Sequence, residues 1–341
     1  MIDLKPTDQE VVETIHELID QFGGEINSYE GDLLTQQIQT SLKMILEGHR
    51  TDQLKLITRS LKEMRYAYRI FNQNTGAHKI SIFGSARTPE RHPDYIAAEK
   101  FSVALAEKGW MCITGAAGGI MKAGMTGPAS DGSFGLSIRL PFETPTNRHI
   151  RGDPKLIHFR YFFTRKLMFL SHANAAAVFP GGVGTMDELF EVLTLMQTGK
   201  SSIIPVVLVE GEGGVYWHHW EIYVKKNLLG NGWISPEDQN LYYIALSPED
   251  AVSHVEQFYK RYHSSRYVRD DLVIRMLTPI TDEQVDSLNE EFSSLVASGS
   301  IRQCEALPEE DDLLDLPRLV FHHTRMEFGN VRALIDRINT F

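Results

Sequence analysis

Residues 175–200 read AAAVFPGGVGTMDELFEVLTLMQTGK, and this stretch decides the fold. Its first four residues are small and apolar, as in a buried strand, and apolar residues recur at helical spacing after Gly184. Pro180 and three glycines within four positions separate the two halves. A buried strand that passes through a glycine turn into a long helix is typical of βαβ units, so the stretch predicts a parallel sheet covered by helices.

Four more short apolar runs precede or follow this stretch, mostly separated by segments of helix length. They are KISIF at 79–83, WMCITG at 110–115, FGLSIRL at 134–140 and IPVVLVE at 204–210. Because strands that are apolar on both faces belong to sheets covered on both sides, we predict an α/β fold with a Rossmann-like, doubly wound parallel sheet. Ligands of such sheets bind at the carboxyl ends of the strands.

The flanks differ from this pattern. Residues 8–75 lack proline and place apolar residues at helical spacing, which predicts three helices interrupted near Gly23 and Gly48. After Tyr262 we predict a small α+β module with strands at 272–277, near 301 and at 318–322, and helices at about 282–296 and 330–338. The predicted domains are therefore a helical region (1–75), a nucleotide-binding domain (76–262) and a C-terminal module (263–341). The acidic segment PEEDDLLDLP at 308–317 is interpreted as a solvated connection.

Composition excludes several classes of function. The net charge of −11 disfavours binding to nucleic acid or to an anionic membrane surface. No apolar run approaches the ~18 residues that span a bilayer, and the polar start is unlike a signal peptide, so a cytoplasmic protein is expected. Cys112 and Cys304 form no CxxC pair, which excludes a disulfide framework. Two histidine pairs lack metal-ligand spacing and predict structural roles rather than a metal site: His218-His219 and His322-His323.

The glycine turn after the central strand is the main candidate site. Glycines let a backbone turn tightly and approach a ligand, and the first amides of a helix attract an anion, so Gly181, Gly182 and Gly184 predict a phosphate site. The spacing matches neither GxGxxG nor a P-loop, which argues against NTP hydrolysis. A tight turn without a ligand is the alternative. Glu188 could act on a bound phosphosugar, or it could close a capping box with Thr185.

Three further features predict side chains near the same crevice. Arg165 and Lys166 lie in the apolar segment FFTRKLMF, where a cation either meets an anion or extends its stem to water. Glycine turns also follow the first two strands, in FGSAR at 83–87 and TGAAGGIM at 114–121. Each could be only a close connection, but together they favour one shared crevice. The candidate binding residues in these two turns are Gly84, Ser85, Gly118, Gly119 and Met121.

With these motifs the sequence resembles the LOG family, named for the Lonely Guy phosphoribohydrolases and formerly mislabelled lysine decarboxylases. The family pattern PGGxGTxxE is matched at every fixed position of 180–188, and the likeness extends over roughly 79–260. The resemblance implies hydrolysis of the N-glycosidic bond of a nucleoside 5'-monophosphate, without a cofactor. It further implies the following roles: Arg165 and Glu188 as the catalytic pair, Gly181, Gly182, Gly184 and Thr185 as phosphate ligands, and Lys166 and Thr194 in binding.

The appended segments resemble those of longer bacterial members rather than the small plant enzymes, so AMP or another purine nucleotide is the expected substrate. A non-catalytic nucleotide-binding or molybdenum-cofactor carrier protein is the alternative, and such a carrier needs neither Glu188 nor Arg165. The apolar surroundings of Arg165 and the largely apolar helix after Glu188 predict a homodimer or higher homo-oligomer, as the family resemblance also implies. The alternative is that the N-terminal helices of the same chain cover this apolar surface.

Overall fold

The computed structural model describes residue 5, residues 7–139 and residues 147–341, so the end of the predicted run FGLSIRL lies outside the described residues. The chain forms two compact units, one up to Glu63 and one from Met64 to Phe341. None of the described helices is long and apolar enough to cross a membrane.

The N-terminal region is helical, as predicted. Its helices are α1 (Gln9–Gln21), α2 (Tyr29–Leu46) and α3 (Thr51–Asn72). Gly23 and Gly48 follow the first two helices with φ of +82° and +69°, a left-handed backbone that favours glycine. The last turns of α3 belong to the second unit, because Ala67, Ile70 and Phe71 are buried in its core. The boundary between the two units lies inside α3, and the predicted domain boundary at residue 75 stays a prediction.

The second unit contains a parallel sheet of seven strands, which confirms the predicted fold class. The strands are β1 (Lys79–Phe83), β2 (Met111–Thr114), β3 (Ser133–Ile138), β4 (Leu156–Phe159), β5 (Ala175–Val178), β6 (Val206–Leu208) and β7 (Tyr243–Ile244). Their order is β4-β3-β2-β1-β5-β6-β7, and every neighbouring pair is parallel. The apolar runs of the sequence did not predict the two edge strands, β4 and β7, because these are short and only partly apolar.

Helices connect these strands and bury apolar residues against both faces of the sheet. They are α4 (Pro93–Glu107), α5 (Ile120–Ala123), α6 (Phe162–Ser171), α7 (Val183–Gln197), α8 (Tyr216–Tyr223) and α9 (Pro248–Phe258). The strand order reverses between β1 and β5, which are direct neighbours. The turns that follow these two strands therefore meet at the point where doubly wound sheets bind ligands.

The C-terminal segment adds an antiparallel sheet in the order β10-β11-β9-β8. Its elements are β8 (Tyr262–Val268), β9 (Asp271–Met276), α10 (Asp282–Glu291), β10 (Val296–Cys304), β11 (Arg318–His323) and α11 (Phe328–Thr340). The helix predicted to 296 ends five residues earlier, at Glu291, and a short 3-10 turn leads into β10. Apolar residues of this sheet share one buried cluster with the parallel sheet, and the predicted boundary at residue 262 stays a prediction.

The interpretation of the acidic segment at 308–317 as a solvated connection was wrong for Glu310. Its carboxylate is fully buried and accepts hydrogen bonds from Arg275 and Arg318, whose closest nitrogens lie at 2.6 and 3.1 Å. Burial alone raises the pKa of Glu310, but these two guanidinium groups more than offset it, and the pKa lies below its usual range. Arg318 directly follows the acidic segment, whereas Arg275 is 35 residues from Glu310 in sequence and reaches it through the pairing of β9 with β11.

Candidate active site

A cavity of about 470 Å³ opens at the carboxyl ends of β1 and β5. Three of its walls are the turn after β1, the turn between β5 and α7, and one face of α6. Eight of the residues predicted from sequence line this one cavity: Gly84, Ser85, Met121, Arg165, Gly182, Gly184, Thr185 and Glu188. The clustering of three glycine turns expected from sequence thus corresponds to a single crevice.

The three glycines of the β5–α7 turn serve two different purposes. A Cβ at Gly181 would lie 2.1 Å from the Thr185 hydroxyl and 3.0 Å from the Ser85 amide, so this position is packed shut. The Tyr216 hydroxyl also donates to the Gly181 carbonyl at 2.7 Å. At Gly182 and Gly184 a Cβ would meet no atom within 4 Å, so both positions face open space. Gly181 therefore holds the turn, whereas Gly182 and Gly184 leave room for a ligand.

The start of α7 is arranged to receive an anion. The helix begins at Val183, and its N-cap residue, Gly182, has no side chain that could accept from the first amides. The first amides of a helix lack intrahelical partners and carry the positive end of the helix dipole. An anion placed in the cavity can accept from them, as phosphates do at other helix N-termini.

Glu188 does not cap this helix. The capping-box interpretation is wrong because α7 begins at Val183, which places Glu188 in the second turn, with its carboxylate at the cavity wall. Its Oε2 is buried and accepts no hydrogen bond from the described residues. The Lys166 ammonium lies 3.8 Å away. Burial raises the pKa of Glu188 to about 7, although Lys166 and Arg165 act to lower it.

Arg165 presents a buried guanidinium to the same cavity. Its Nε donates to the Leu136 carbonyl at 2.7 Å, and its guanidinium lies 5.0 Å above the centre of the Phe169 ring. Burial lowers the pKa of Arg165 to about 10, and the attraction of Glu188 opposes this shift. A Cβ at Gly115 would lie 2.4 Å from Nη2, so a glycine after β2 is needed to admit the side chain. Arg165 is thus held in place before any ligand arrives.

Lys166, the next residue, does not line the cavity. Its ammonium lies 2.9 Å from Asp187 and 2.5 Å from Glu191, both on α7. These contacts join α6 to α7 and keep a positive charge behind Glu188. The structure therefore places Lys166 beside the catalytic candidates rather than in contact with the cavity.

Other predicted residues also lie outside the cavity wall. Gly118 and Gly119 pack the second glycine turn against the first: Gly119 has a φ of +57°, and a Cβ there would lie 2.2 Å from the Ser85 carbonyl oxygen. Thr194 lies farther along α7 and lines a separate cavity of about 90 Å³ beside Trp220. Its predicted role in binding has no support from the position of the cavity in this chain.

Arg87 belongs to the FGSAR turn and received no role from the sequence, although it lines the cavity. Its backbone amide donates to the Ser85 hydroxyl at 3.1 Å, and its side chain is exposed. The sequence did contain a signal for Arg87 as a binding residue, because it is a cation that follows a glycine turn at the end of a strand. Asp187, next to Glu188 on α7, and Gly115, in the turn after β2, also line the cavity and received no role from the sequence. Within the described ranges, no group of three or more potential ligands could hold a metal ion.

Comparison with known proteins agrees with the motifs. Residues 116–255 match the family described as "Possible lysine decarboxylase". Relatives include the cytokinin riboside 5'-monophosphate phosphoribohydrolase LOG1 of Arabidopsis thaliana, 33% identical over 98 residues, 29% of this chain and 44% of that protein. The Mycobacterium tuberculosis phosphoribohydrolase is 25% identical over 182 residues, 52% of this chain and 93% of that protein. The chain is thus similar to phosphoribohydrolases of the LOG type over its central part.

The match to the Arabidopsis LOG protein spans less than half of that protein's length. Among solved structures, the molybdenum cofactor carrier protein of Chlamydomonas reinhardtii is 19% identical, with a TM-score of 0.38 over 53% of this chain and 98% of the carrier. The molybdenum cofactor binding protein of Rippkaea orientalis is 15% identical, with a TM-score of 0.38 over 54% of this chain and 98% of that protein. Likenesses at this level carry no argument about the chemistry of this chain.

Proposed function

We propose that this chain hydrolyses the N-glycosidic bond of a purine nucleoside 5'-monophosphate such as AMP, releasing the free base and ribose 5-phosphate. One observation carries the proposal: the cavity combines an uncapped helix start with a buried carboxylate whose Oε2 has no hydrogen-bond partner among the described residues. A structural carboxylate at such a burial is normally hydrogen-bonded. The names of the LOG relatives, which are phosphoribohydrolases, support the same reaction.

The phosphate would bind at the start of α7. The amides after Gly182 and the hydroxyl of Ser85 supply hydrogen bonds, and the exposed Arg87 supplies a cation at the rim. The chain as a whole carries a net charge of −11 and repels anions, so an anion must be held by groups that contact it directly, as these do. Both open glycine positions face this space, so the ligand can approach the backbone closely.

The ribose would then lie against Glu188. In the proposed step a water oxygen bonds to C1', the C1'–N bond breaks, and the leaving nitrogen takes a proton from solvent or a donor. The transition state resembles an oxocarbenium ion, which an ionised Glu188 stabilises, and the same carboxylate can take the proton of the water. With a pKa of about 7, Glu188 is present in both its protonated and its ionised form at neutral pH. Arg165 supplies a fixed positive charge for the phosphate or the departing base.

The direct experiment incubates the purified protein with AMP, GMP, CMP or UMP and measures free base by chromatography. We expect release of base with a preference for purine nucleotides. Binding of AMP without any release of base would favour a carrier or sensor, and the hydrolase proposal would be wrong.

Gly182 offers a sharp test of where the phosphate binds. An aspartate side chain at this position meets open space and is favourable as a helix N-cap, so Gly182→Asp should keep the fold while its carboxylate occupies the anion site. We expect loss of ribose 5-phosphate binding and of activity. Gly182→Ala, which fits the same space without charge, is the matched control and should retain binding.

We also propose that the protein works in the cytoplasm as a homodimer that pairs through α6 and α7. Both helices expose large apolar side chains, among them Phe162 (54% exposed), Phe163 (52%) and Val183 (88%). Apolar surface next to a polar cavity is typical of a protein–protein contact. A partner there would lie beside the catalytic candidates, so dimer formation would shape the substrate site.

A further inference from the structure

A second cavity, of about 580 Å³, opens beside the C-terminal end of α6. It lies near the N-terminal ends of the parallel strands, whereas the candidate active site lies at their carboxyl ends. Its wall is formed by the end of α6, by one side of α7, by the segment 200–204 and by the start of β8. Asn174, just before β5, lies at this N-terminal end: its backbone amide donates to the carbonyl of Lys79, the first residue of β1. The volume is sufficient for a small organic ligand.

The polar part of this wall suits an anion. Its charged and hydrogen-bonding side chains include one lysine, two histidines and five serines: Lys200, His172, His263, Ser171, Ser201, Ser202, Ser264 and Ser265. No aspartate or glutamate is among the described residues that line it, although the chain has 45 acidic residues. An anion that enters this cavity therefore meets donors without meeting a like charge.

Several of these donors are available. Ser264 pairs with His263 at 2.9 Å and Ser265 with Tyr262 at 3.0 Å, but Lys200 makes no ion pair with any residue that the structure describes. The ring of His172 is stacked on Phe71 at 3.9 Å, and its buried Nε2 has no hydrogen-bond partner within the described part of the chain. The cavity thus offers the unpaired ammonium of Lys200 to a ligand, whereas the Nε2 of His172 is enclosed by the protein.

We propose that this second cavity binds a phosphate monoester that carries an apolar or aromatic group. The serine hydroxyls and Lys200 would hold the phosphate through charge-assisted hydrogen bonds. The remaining wall is apolar and aromatic, with Leu170, Val192, Ile203 and Tyr259 among its members, and it would cover the rest of the ligand.

The same two helices reach both cavities, which gives the second site a route to the first. Arg165 on α6 and Glu188 on α7 face the candidate active site, whereas Leu170 and Val192 of the same helices line the second cavity. A ligand that shifts either helix moves a catalytic candidate, because packed helices move as units rather than deforming residue by residue. This coupling rests on the proposed function, whereas binding at the second cavity does not.

Calorimetric titration with phenyl phosphate tests the binding in Gly182→Asp protein, in which the active-site anion position is filled. We expect about one site per chain. Adding Lys200→Glu should weaken binding by at least about tenfold, as expected for loss of a charge-assisted contact. The matched control is Lys226→Glu, an exposed lysine that lines neither cavity, and it should leave the affinity unchanged.

A second variant covers the case in which Lys200→Glu disturbs the fold. Ser202 is exposed, so Ser202→Asp should fold normally and should also weaken binding by about tenfold by adding a carboxylate to the wall. Absence of binding to the Gly182→Asp protein, or binding that neither Lys200→Glu nor Ser202→Asp changes, would overturn the proposal.

The coupling has its own measurement, which uses chains with glycine at position 182. Phenyl phosphate should change the rate of AMP hydrolysis at least about twofold in the unmodified protein and in Lys226→Glu, but not in Lys200→Glu. An equal effect in Lys200→Glu would show competition at the active site and would refute the coupling. If no variant hydrolyses AMP, the proposed function fails, and the calorimetric result still decides the binding site.

Discussion

Replacing Glu188 with glutamine should make the protein more stable and less active, with a dependence on pH that the structure specifies. Burial raises the pKa of Glu188 from an ordinary 4.5 to about 7. Between these values the folded chain holds a proton that the unfolded chain has released, so stability falls as pH rises through this window. Above about pH 7 the buried, ionised Glu188 lowers the free energy of unfolding by its full amount, and the pKa shift corresponds to about 3 kcal/mol at most.

Glutamine keeps the shape of the side chain but carries no charge. The free energy of unfolding of Glu188→Gln at pH 8 should therefore be about 1–3 kcal/mol larger than that of the unmodified protein. This corresponds to a rise of about 2–6 °C in Tm. At pH 4, below both pKa values, Glu188 is largely protonated in the folded and the unfolded chain, and the stabilities of the two proteins should agree to within a few tenths of a kcal/mol, about what linkage leaves. Thermal unfolding followed by circular dichroism at both pH values measures the difference.

Activity should change in the opposite direction. Turnover of AMP by Glu188→Gln should fall by about 100-fold or more, because the carboxylate can neither stabilise the ribosyl cation nor accept a proton. Glu191→Gln is the matched control on α7: it removes a partner of Lys166 but no cavity residue, and it should retain most activity. A Glu188→Gln protein that is less stable at pH 8 would show that Lys166 compensates the carboxylate, and the reasoning from burial would be refuted.

Three other perturbations address the rest of the structure. Gly115→Ala should lower turnover by about tenfold or more without removing any charge, because the new methyl would displace the Arg165 guanidinium; unchanged kinetics would mean that the position of Arg165 is unimportant. Glu310→Gln should destabilise the chain by about 3–5 kcal/mol in denaturant titrations at neutral pH, since it leaves buried Arg318 without its acidic partner and Arg275 with Asp312 alone, whereas exposed Asp311→Asn should have little effect. Sedimentation equilibrium should show a homodimer for the full chain and for a truncated chain that begins at Met64; a fully active monomer at micromolar concentration would contradict the shared-site proposal.

Much of the fold was predictable because the relevant signals are local. The apolar runs before each turn are short, and the segments between them have helical length, so the parallel sheet follows from periodicity alone. The glycine turn at 180–184 was equally clear, because positions that must admit a close approach cannot carry a Cβ. The edge strands β4 and β7 escaped prediction because they lack this signal: His158 interrupts one, and the other has only two residues.

The sequence predicted only part of the candidate site, because Arg165, Glu188 and Gly182 line the cavity whereas Lys166 and Thr194 do not. The sequence by itself indicated that the glycine turns share one crevice, since parallel strands bring their carboxyl ends to the same end of the sheet. The family resemblance implied that Arg165 and Glu188 belong to it as well. Only the tertiary structure decided that Glu188 is a buried carboxylate rather than a helix cap, and that Lys166 lies behind the site instead of in it. Both outcomes depend on where α6 packs against α7. Burial and the identity of the neighbouring charges are properties of that packing, and no local pattern along the chain encodes them.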